Sequence, residues 1–459
     1  MTRLFGTDGV RGVANQALTP ELAYALGRYG AYVLLQKSAV ERPRVLVGRD
    51  TRISGQMLEA ALTAGINSVG ADVLQVGVLP TPGVAYLTKA WGADCGVMIS
   101  ASHNPVADNG IKFFSRDGFK LLDDVEDEIE AVISDAAPGG RLCLSPKDGL
   151  PRPTGKDVGR VVVRTDAIEC YTEFLKQTIS SDLTGLKVVV DCGYGAAYQV
   201  TPRVLRDLGA TVISLHDRPD GININMGCGS THPQAVAAAV KEHKADVGLA
   251  HDGDADRLIA IDEQGQVIDG DYIMVICGLH LLGQGKLAQN RVAVTVYSNL
   301  GVRAALRAAG GDVVITANGD RYVLEAMQKQ GLNLGGEQSG HIIFLDHNTT
   351  GDGVLTSLQL LAVLQEAAQP LSVLAKQLKK YPQLLRNVPV TNKHDWEKNE
   401  SIRKAISTAT ERLGDSGRIF VRASGTEPLI RVMAEGPEVA VVEEAVNAVA
   451  QVIDSELGG

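Results

Sequence analysis

The chain has 459 residues, enough for about three or four domains that each bury a core. Its net charge of −10, its pI near 5.5 and the lack of a basic run interleaved with aromatics argue against a nucleic-acid partner. No apolar run reaches the roughly 18 residues of a spanning helix, and Arg3, Asp8 and Arg11 stand where a secretory leader would need an apolar core, which argues against a membrane.

In chain order, GTDGVRG (residues 6–12) comes first, a glycine-flanked loop around Arg11 that signals little alone. A pattern then recurs three times: an apolar β-branched run, a short polar or glycine-containing loop, a helix closing on glycine, and another apolar run. The copies are RVLVGRD (44–50) with a helix over 60–68, LKVVVDCGYG (186–195) with a helix over 202–208, and RVAVTVYSN (291–299) with a helix over 302–309. Strand, helix and strand in that order predict a right-handed βαβ unit, and three such units predict three α/β domains with mixed or parallel sheets. The Pro- and Gly-rich stretch 137–159, followed by a helix over 167–178, puts the first boundary near 155. A helix over 355–368 closes a third domain, and a hairpin-like alternation over 419–433 with a final Ala/Val/Glu helix reads as a smaller α+β domain. The expected domains are 1–155, 156–260, 261–370 and 371–459. The cysteines Cys95, Cys143, Cys170, Cys192, Cys228 and Cys277 are scattered with no CxxC pair, which argues against a disulfide frame or zinc site and for a reducing cytoplasm.

Five stretches carry polar groups that need a reason. ISASHNP (99–105) follows the apolar run from Gly96 to Ile99, a buried strand running out into a loop where a serine can act as nucleophile; the residues alone do not choose among Ser100, Ser102 and His103 as the group that carries phosphate. GYGAAY (193–198) opens like a dinucleotide fingerprint, with Asp217 downstream, but Tyr198 fills the third glycine position that close helix packing requires, so the loop reads as structural. HDGDADR (251–257) brings Asp252, Asp254 and Asp256 together, by an extended period of two or by a tight loop, and a hard divalent cation neutralises such a set. These aspartates and Glu263 fit positions of an EF-hand loop, but Arg257 stands where that loop needs glycine and the following LIAID alternates like a strand. An oxygen-only set with room for water suits Mg²⁺, which commonly works on phosphate. GGEQSGH (335–341) alternates Glu337 and Ser339 in what reads as an extended loop, a pair able to take two sugar hydroxyls. RASGTEPLIR (422–431) brackets Ser424, Gly425 and Thr426 with Arg422 and Arg431, a set of free N–H groups, hydroxyls and charge suited to phosphate.

With these stretches in order, the chain strongly resembles the α-D-phosphohexomutases over essentially its whole length. SASHNP is similar to that family's phosphoserine loop, DGDADR to its magnesium loop, GEQSGH to its sugar loop and RASGTEP to its phosphate loop. GTDGVRG, Gln338 and TTGDG (349–353) look like the glucosamine branch; activity as a phosphoglucomutase or phosphomannomutase on the same scaffold is the alternative. Ala255 replaces a glycine frequent in the family, and His251 an aromatic; if position 255 needs positive φ, alanine costs about 1 kcal/mol there.

The resemblance implies three similar α/β domains with mixed sheets and a smaller C-terminal α+β domain around a central cleft. It implies an isomerase that interconverts glucosamine 6-phosphate and glucosamine 1-phosphate, toward UDP-N-acetylglucosamine. By family match Ser102 carries a phosphoryl group, gives it to the sugar phosphate, and takes back the other from a glucosamine 1,6-bisphosphate intermediate and activator. The match also implies one Mg²⁺ on Asp252, Asp254, Asp256 and the phosphorylated Ser102, with Lys112 and Arg257 offsetting charge. His341 is the candidate acid/base, with Lys112 as the other choice. Glu337 and Ser339 would hold the sugar, and Arg422, Ser424, Gly425, Thr426 and Arg431 its phosphate. The implied partner is a small-molecule sugar phosphate in the cytoplasm.

Overall fold

Runs of β-branched residues covered on both faces become the inner strands of the first three sheets. The computed structural model describes residues 3–6, 8–36, 40, 42–135, 149–393, 396–424 and 428–458. Its first sheet comprises β1 (Val10–Val13), β2 (Arg44–Arg49), β3 (Asp72–Val78), β4 (Cys95–Ile99), β5 (Asp108–Ser115) and β6 (Val161–Val163), in the order β1-β5-β4-β2-β3-β6. β2 runs parallel to β3 and β4, whereas β5 is antiparallel to β1 and β4, so the sheet is mixed. The crossover helix between β2 and β3 is Ser54–Asn67. It starts earlier than the apolar pattern predicts, because residues such as exposed Gln56 face water and give no apolar signal. It packs on the helix Pro20–Leu35, which Thr19 caps through the Leu22 N–H. Gly27 and Gly65 allow that approach: a Cβ on either would stand 2.2 Å from a main-chain oxygen of the other helix.

The second sheet holds β7 (Lys187–Asp191), β8 (Thr211–Leu215), β9 (Val247–His251), β10 (Leu258–Asp262) and β11 (Val267–Ile268), in the order β11-β10-β9-β7-β8. β7 is parallel to β8 and β9, and β10 is antiparallel to β9. The third holds β12 (Arg291–Thr295), β13 (Asp312–Thr316), β14 (Leu334–Gly336) and β15 (Ile342–Phe344), in the order β13-β12-β14-β15. The predicted helices at 202–208 and 302–309 are Val200–Asp207 and Leu300–Ala308. The fourth sheet is antiparallel, β16 (Gln383–Pro389), β17 (Arg418–Ala423) and β18 (Leu429–Glu435) in the order β16-β18-β17, with a core shared by the helices Glu400–Leu413 and Val439–Leu457. Three mixed α/β layers and one smaller α+β layer are the fold class that the recurring pattern predicts.

By compactness the chain divides into residues 1–297 with 313–376, and residues 298–312 with 377–459. Within the smaller unit the buried Glu435 carboxylate accepts from the Leu300 N–H at 2.7 Å and from Arg418 at 2.6 Å, tying the start of the helix Leu300–Ala308 to β17 and β18. Among the described residues no helix is long and apolar enough to cross a membrane.

Candidate active site

β4 is buried along its whole length and delivers Ser102 just past its C-terminal end, where ligands gather in open α/β sheets. Ser102 has φ +52°, a left-handed conformation that costs a residue with a Cβ about 1–2 kcal/mol. The loop is held there by Arg52, itself buried. Its guanidinium donates to the carbonyls of Ser102 and Asn104 at 2.8 Å, Asp108 at 3.1 Å and Pro105 at 2.5 Å, while Nε pairs with Asp50 at 2.9 Å. The Ser100 hydroxyl donates to Asp50 at 2.7 Å and accepts from the Ser102 N–H at 2.9 Å, so Ser100 is a brace and Ser102 the displayed hydroxyl. Asn225 closes the cradle by donating to the Ser102 and Asn104 carbonyls at 2.9 and 3.1 Å. Burial raises the Asp50 carboxyl even though Arg52 and Ser100 oppose the shift. Sequence reasoning missed Arg52, Asp50 and Asn225. The polar run DTR after β2 was the available signal for the first two.

The aspartates lie in the tight connection between β9 and β10. Ala255 within it has φ +56°, so the cost that attaches to an alanine at this position is real. Asp252, Asp254 and Asp256 are buried and each offers an oxygen within 4.8 Å of the others. Ser102 Oγ donates to Asp252 Oδ2 at 2.5 Å. Burial, then repulsion from Asp256 and Asp254, holds Asp252 well above the usual carboxylate range, and burial and Asp254 raise Asp256 as well. Burial works on Asp254 in the same sense, but the Lys112 ammonium at 2.9 Å and the Thr81 hydroxyl at 2.6 Å outweigh it and keep that carboxyl low. Asp254 Oδ1 and Asp256 Oδ1 are buried without a hydrogen-bond partner. A buried, convergent carboxylate trio with two oxygens that lack a partner fits a divalent cation with oxygen ligands.

Around the trio the other predicted residues converge. Lys112 also pairs with Asp8 at 2.8 Å, and Asp8 pairs with Arg11 and, at 2.7 Å, with Lys120. Burial would lower the Lys112 pKa, but Asp254 and Asp8 more than offset it, so the ammonium stays charged and cannot accept a proton. Arg257 Nε stands 3.8 Å from Asp256. His341 is buried, with Nε2 3.7 Å from Asp320 and 4.0 Å from Asp256, and neither ring nitrogen has a hydrogen-bond partner.

The stretch carrying Glu337 and Ser339 is not extended. The Glu337 N–H donates to the His341 carbonyl and the Gly340 N–H to the Glu337 carbonyl, making a tight turn between β14 and β15. Gly340, at φ +94°, presses so closely on the metal loop that a Cβ would lie 2.2 Å from the Leu258 carbonyl. The side chains converge all the same: Ser339 Oγ reaches Glu337 Oε2 at 3.5 Å. GYGAAY also serves this loop, since a Cβ on Gly195 would stand 2.4 Å from the Gly253 carbonyl and the Ala196 N–H donates to it. In the smaller unit Arg422 and Arg431 are direct cross-strand partners on β17 and β18. Ser424 is buried just beyond β17, its carbonyl accepting from Lys393 at 2.8 Å; Gly425 and Thr426 lie outside the described residues.

Comparisons with known proteins add the relationships of the chain. Family models match the α/β/α domain I of phosphoglucomutase/phosphomannomutase over residues 2–138, domain II over 169–265, domain III over 269–381 and the C-terminal domain over 385–452. A phosphoglucosamine mutase of Heliobacterium modesticaldum is 58% identical over 98% of this chain and 99% of its own. A solved phosphoglucomutase/phosphomannomutase family protein of Burkholderia thailandensis superimposes with a TM-score of 0.82 at 24% identity, covering 99% of this chain and 98% of that one. An Aspergillus fumigatus N-acetylphosphoglucosamine mutase, solved in complex with GlcNAc-6P and magnesium, does so with a TM-score of 0.65 at 17% identity, covering 98% and 95%.

Proposed function

Since the chain belongs to the phosphoglucosamine mutases of the α-D-phosphohexomutase superfamily, we propose that its residues interconvert glucosamine 6-phosphate and glucosamine 1-phosphate through a phosphorylated Ser102. The observation that carries the reading is the Ser102 hydroxyl 2.5 Å from Asp252, at the edge of a buried trio of convergent carboxylates. Magnesium held by Asp252, Asp254 and Asp256 supplies charge neutralisation at phosphoryl oxygens. In the first half-reaction the free sugar hydroxyl attacks the phosphorus on Ser102, the bond from phosphorus to Oγ breaks, and the hydroxyl proton passes to His341. The product is glucosamine 1,6-bisphosphate. In the second, Ser102 Oγ takes the other phosphoryl group, and the proton returns to the sugar oxygen it leaves.

Lys112 and Arg257 act as fixed cations that offset phosphoryl charge, and the geometry favours His341 over Lys112 for the proton because Lys112 is locked between Asp254 and Asp8. Glu337 and Ser339 take sugar hydroxyls; Arg422, Ser424, Gly425, Thr426 and Arg431 take the phosphate that is not reacting. These roles go with the division at 155, 260 and 370, and the free Cys95, Cys170, Cys192, Cys228 and Cys277 fit a cytoplasmic enzyme. Turnover of glucosamine, glucose and mannose 6-phosphates, each with and without excess EDTA, tests the reading. Glucosamine 6-phosphate should be turned over fastest and only without chelator. Full activity in EDTA overturns the metal assignment, and faster turnover of either other sugar overturns the substrate.

A further inference from the structure

The second sheet gathers another set of metal-ligating side chains, outside the site of the mutase reaction. Asp191 ends β7, His216 follows β8, and Cys228 lies in the segment that leads back toward β9. Asp191 and Cys228 are fully buried, His216 is about a quarter exposed (25%), and one ligand atom from each lies within 4.8 Å of the others. Their separation along the chain hides them from any spacing motif.

The polar atoms are incompletely used. Asp191 Oδ1 accepts from the Gly193 N–H at 2.8 Å and Oδ2 from the Gly229 N–H at 2.9 Å, which leaves each oxygen a second lone pair. His216 Nδ1 is buried 3.0 Å from Asp191 Oδ1, and that carboxylate raises the imidazole pKa, so a metal entering here competes with a proton on this nitrogen. Zinc bonds of about 2.0–2.3 Å set tetrahedral ligands roughly 3.3–3.8 Å apart, and these three atoms lie within 4.8 Å of one another. The donors also choose the metal. Sulfur and imidazole nitrogen suit a borderline-soft ion, whereas the trio at Asp252, Asp254 and Asp256 offers oxygen alone.

We propose that Asp191, His216 and Cys228 form a second cation site, for a thiophilic divalent ion such as Zn²⁺, with water as the fourth ligand on the exposed side of His216. Binding forms three protein-to-metal bonds, and the Cys228 thiol releases its proton to solvent. The site staples the loops that follow β7 and β8 to the segment carrying Asn225. That segment is tied to Gly193 by the Asn225 N–H at 2.9 Å, and Asn225 braces the Ser102 loop. Occupancy therefore stiffens the support under the phosphoserine loop, and it does not depend on the roles assigned to Ser102 or His341.

The test is a titration of the full chain with Co²⁺ in saturating Mg²⁺, followed by absorbance. One equivalent should give the intense near-ultraviolet band of a thiolate on cobalt together with the visible bands of four-coordinate Co²⁺, and one equivalent of Zn²⁺ should bleach both. Cys228→Ser should lose the near-ultraviolet band, and His216→Gln should weaken cobalt binding at least tenfold. If Cys228→Ser does not fold, His216→Gln with the wild-type titration decides. Absence of a thiolate band in the wild type, the same band in Cys228→Ser, or unchanged affinity in His216→Gln overturns the site.

Discussion

Arg52 commits its guanidinium to main-chain carbonyls of one loop and to Asp50. Lysine keeps the charge but lacks the planar fork, so Arg52→Lys should leave the protein folded while Ser102 drifts from its position. A displacement of about 1 Å can cost on the order of 100-fold in rate, and we expect kcat to fall by about that factor with KM nearly unchanged. Steady-state kinetics beside a thermal melt check it; a normal kcat contradicts the positioning role. Arg52→Met should instead cost about 3–5 kcal/mol of stability, since Asp50 is left as an unpaired buried charge. His251 is a second residue with a legible consequence. Burial pushes its pKa from 6.5 down to about 4, with Nδ1 donating to the Arg257 carbonyl and Nε2 accepting from Thr201. Between those values the unfolded chain binds one proton more than the folded one, so stability is present above the unfolded pKa and is lost as pH falls. The loss from pH 7 to pH 5 should be about 2 kcal/mol. Urea unfolding at both pH values should show this loss shrink in His251→Gln; parallel behaviour of the two proteins would refute it.

Among the elements, the strands were readable because runs of Val, Ile and Leu leave little choice of structure, and β4 and β10 could be placed from their apolar pattern. The turn at Glu337 was not readable as a turn. Period-two alternation suggests extension, whereas the fold is set by Gly340, whose φ of +94° and contact with the Leu258 carbonyl come from a partner far away in sequence. Arg52 was missed for a related reason: the polar run DTR after β2 marks a loop, but the arginine's acceptors lie about fifty residues downstream and the run does not name them. Ala255 was readable as a departure, and its φ of +56° gives the departure a physical meaning. The loop after β7 supports the metal loop by backbone contact alone. Gly195→Ala would place a Cβ 2.4 Å from the Gly253 carbonyl and must shift one loop against the other. Activity titrated with Mg²⁺ should then show at least tenfold weaker metal dependence with the melt little changed; an unchanged titration would mean the contact is not structural support.

For the whole molecule, one serine and one carboxylate trio must serve two ends of a sugar, so the bisphosphate has to reverse its orientation between half-reactions. On the role proposed for Arg422 and Arg431, the same arginines would hold the phosphate that is not reacting once in each orientation. Arg422→Ala should slow transfer from phosphorylated Ser102 to glucosamine 6-phosphate and to glucosamine 1-phosphate by comparable factors. Single-turnover rates from both ends check this, and a large loss with one substrate and none with the other would mean two separate phosphate sites. Phosphate should move between serine and sugar and not to water. The most direct measurement is to label the Ser102 phosphoryl group, add one equivalent of glucosamine 6-phosphate in Mg²⁺, quench within a single turnover, and find the label. Label should appear in glucosamine 1,6-bisphosphate and then in glucosamine 1-phosphate, with Ser102→Ala taking up none from the start. Label appearing stoichiometrically as inorganic phosphate would make the chain a phosphatase and contradict it.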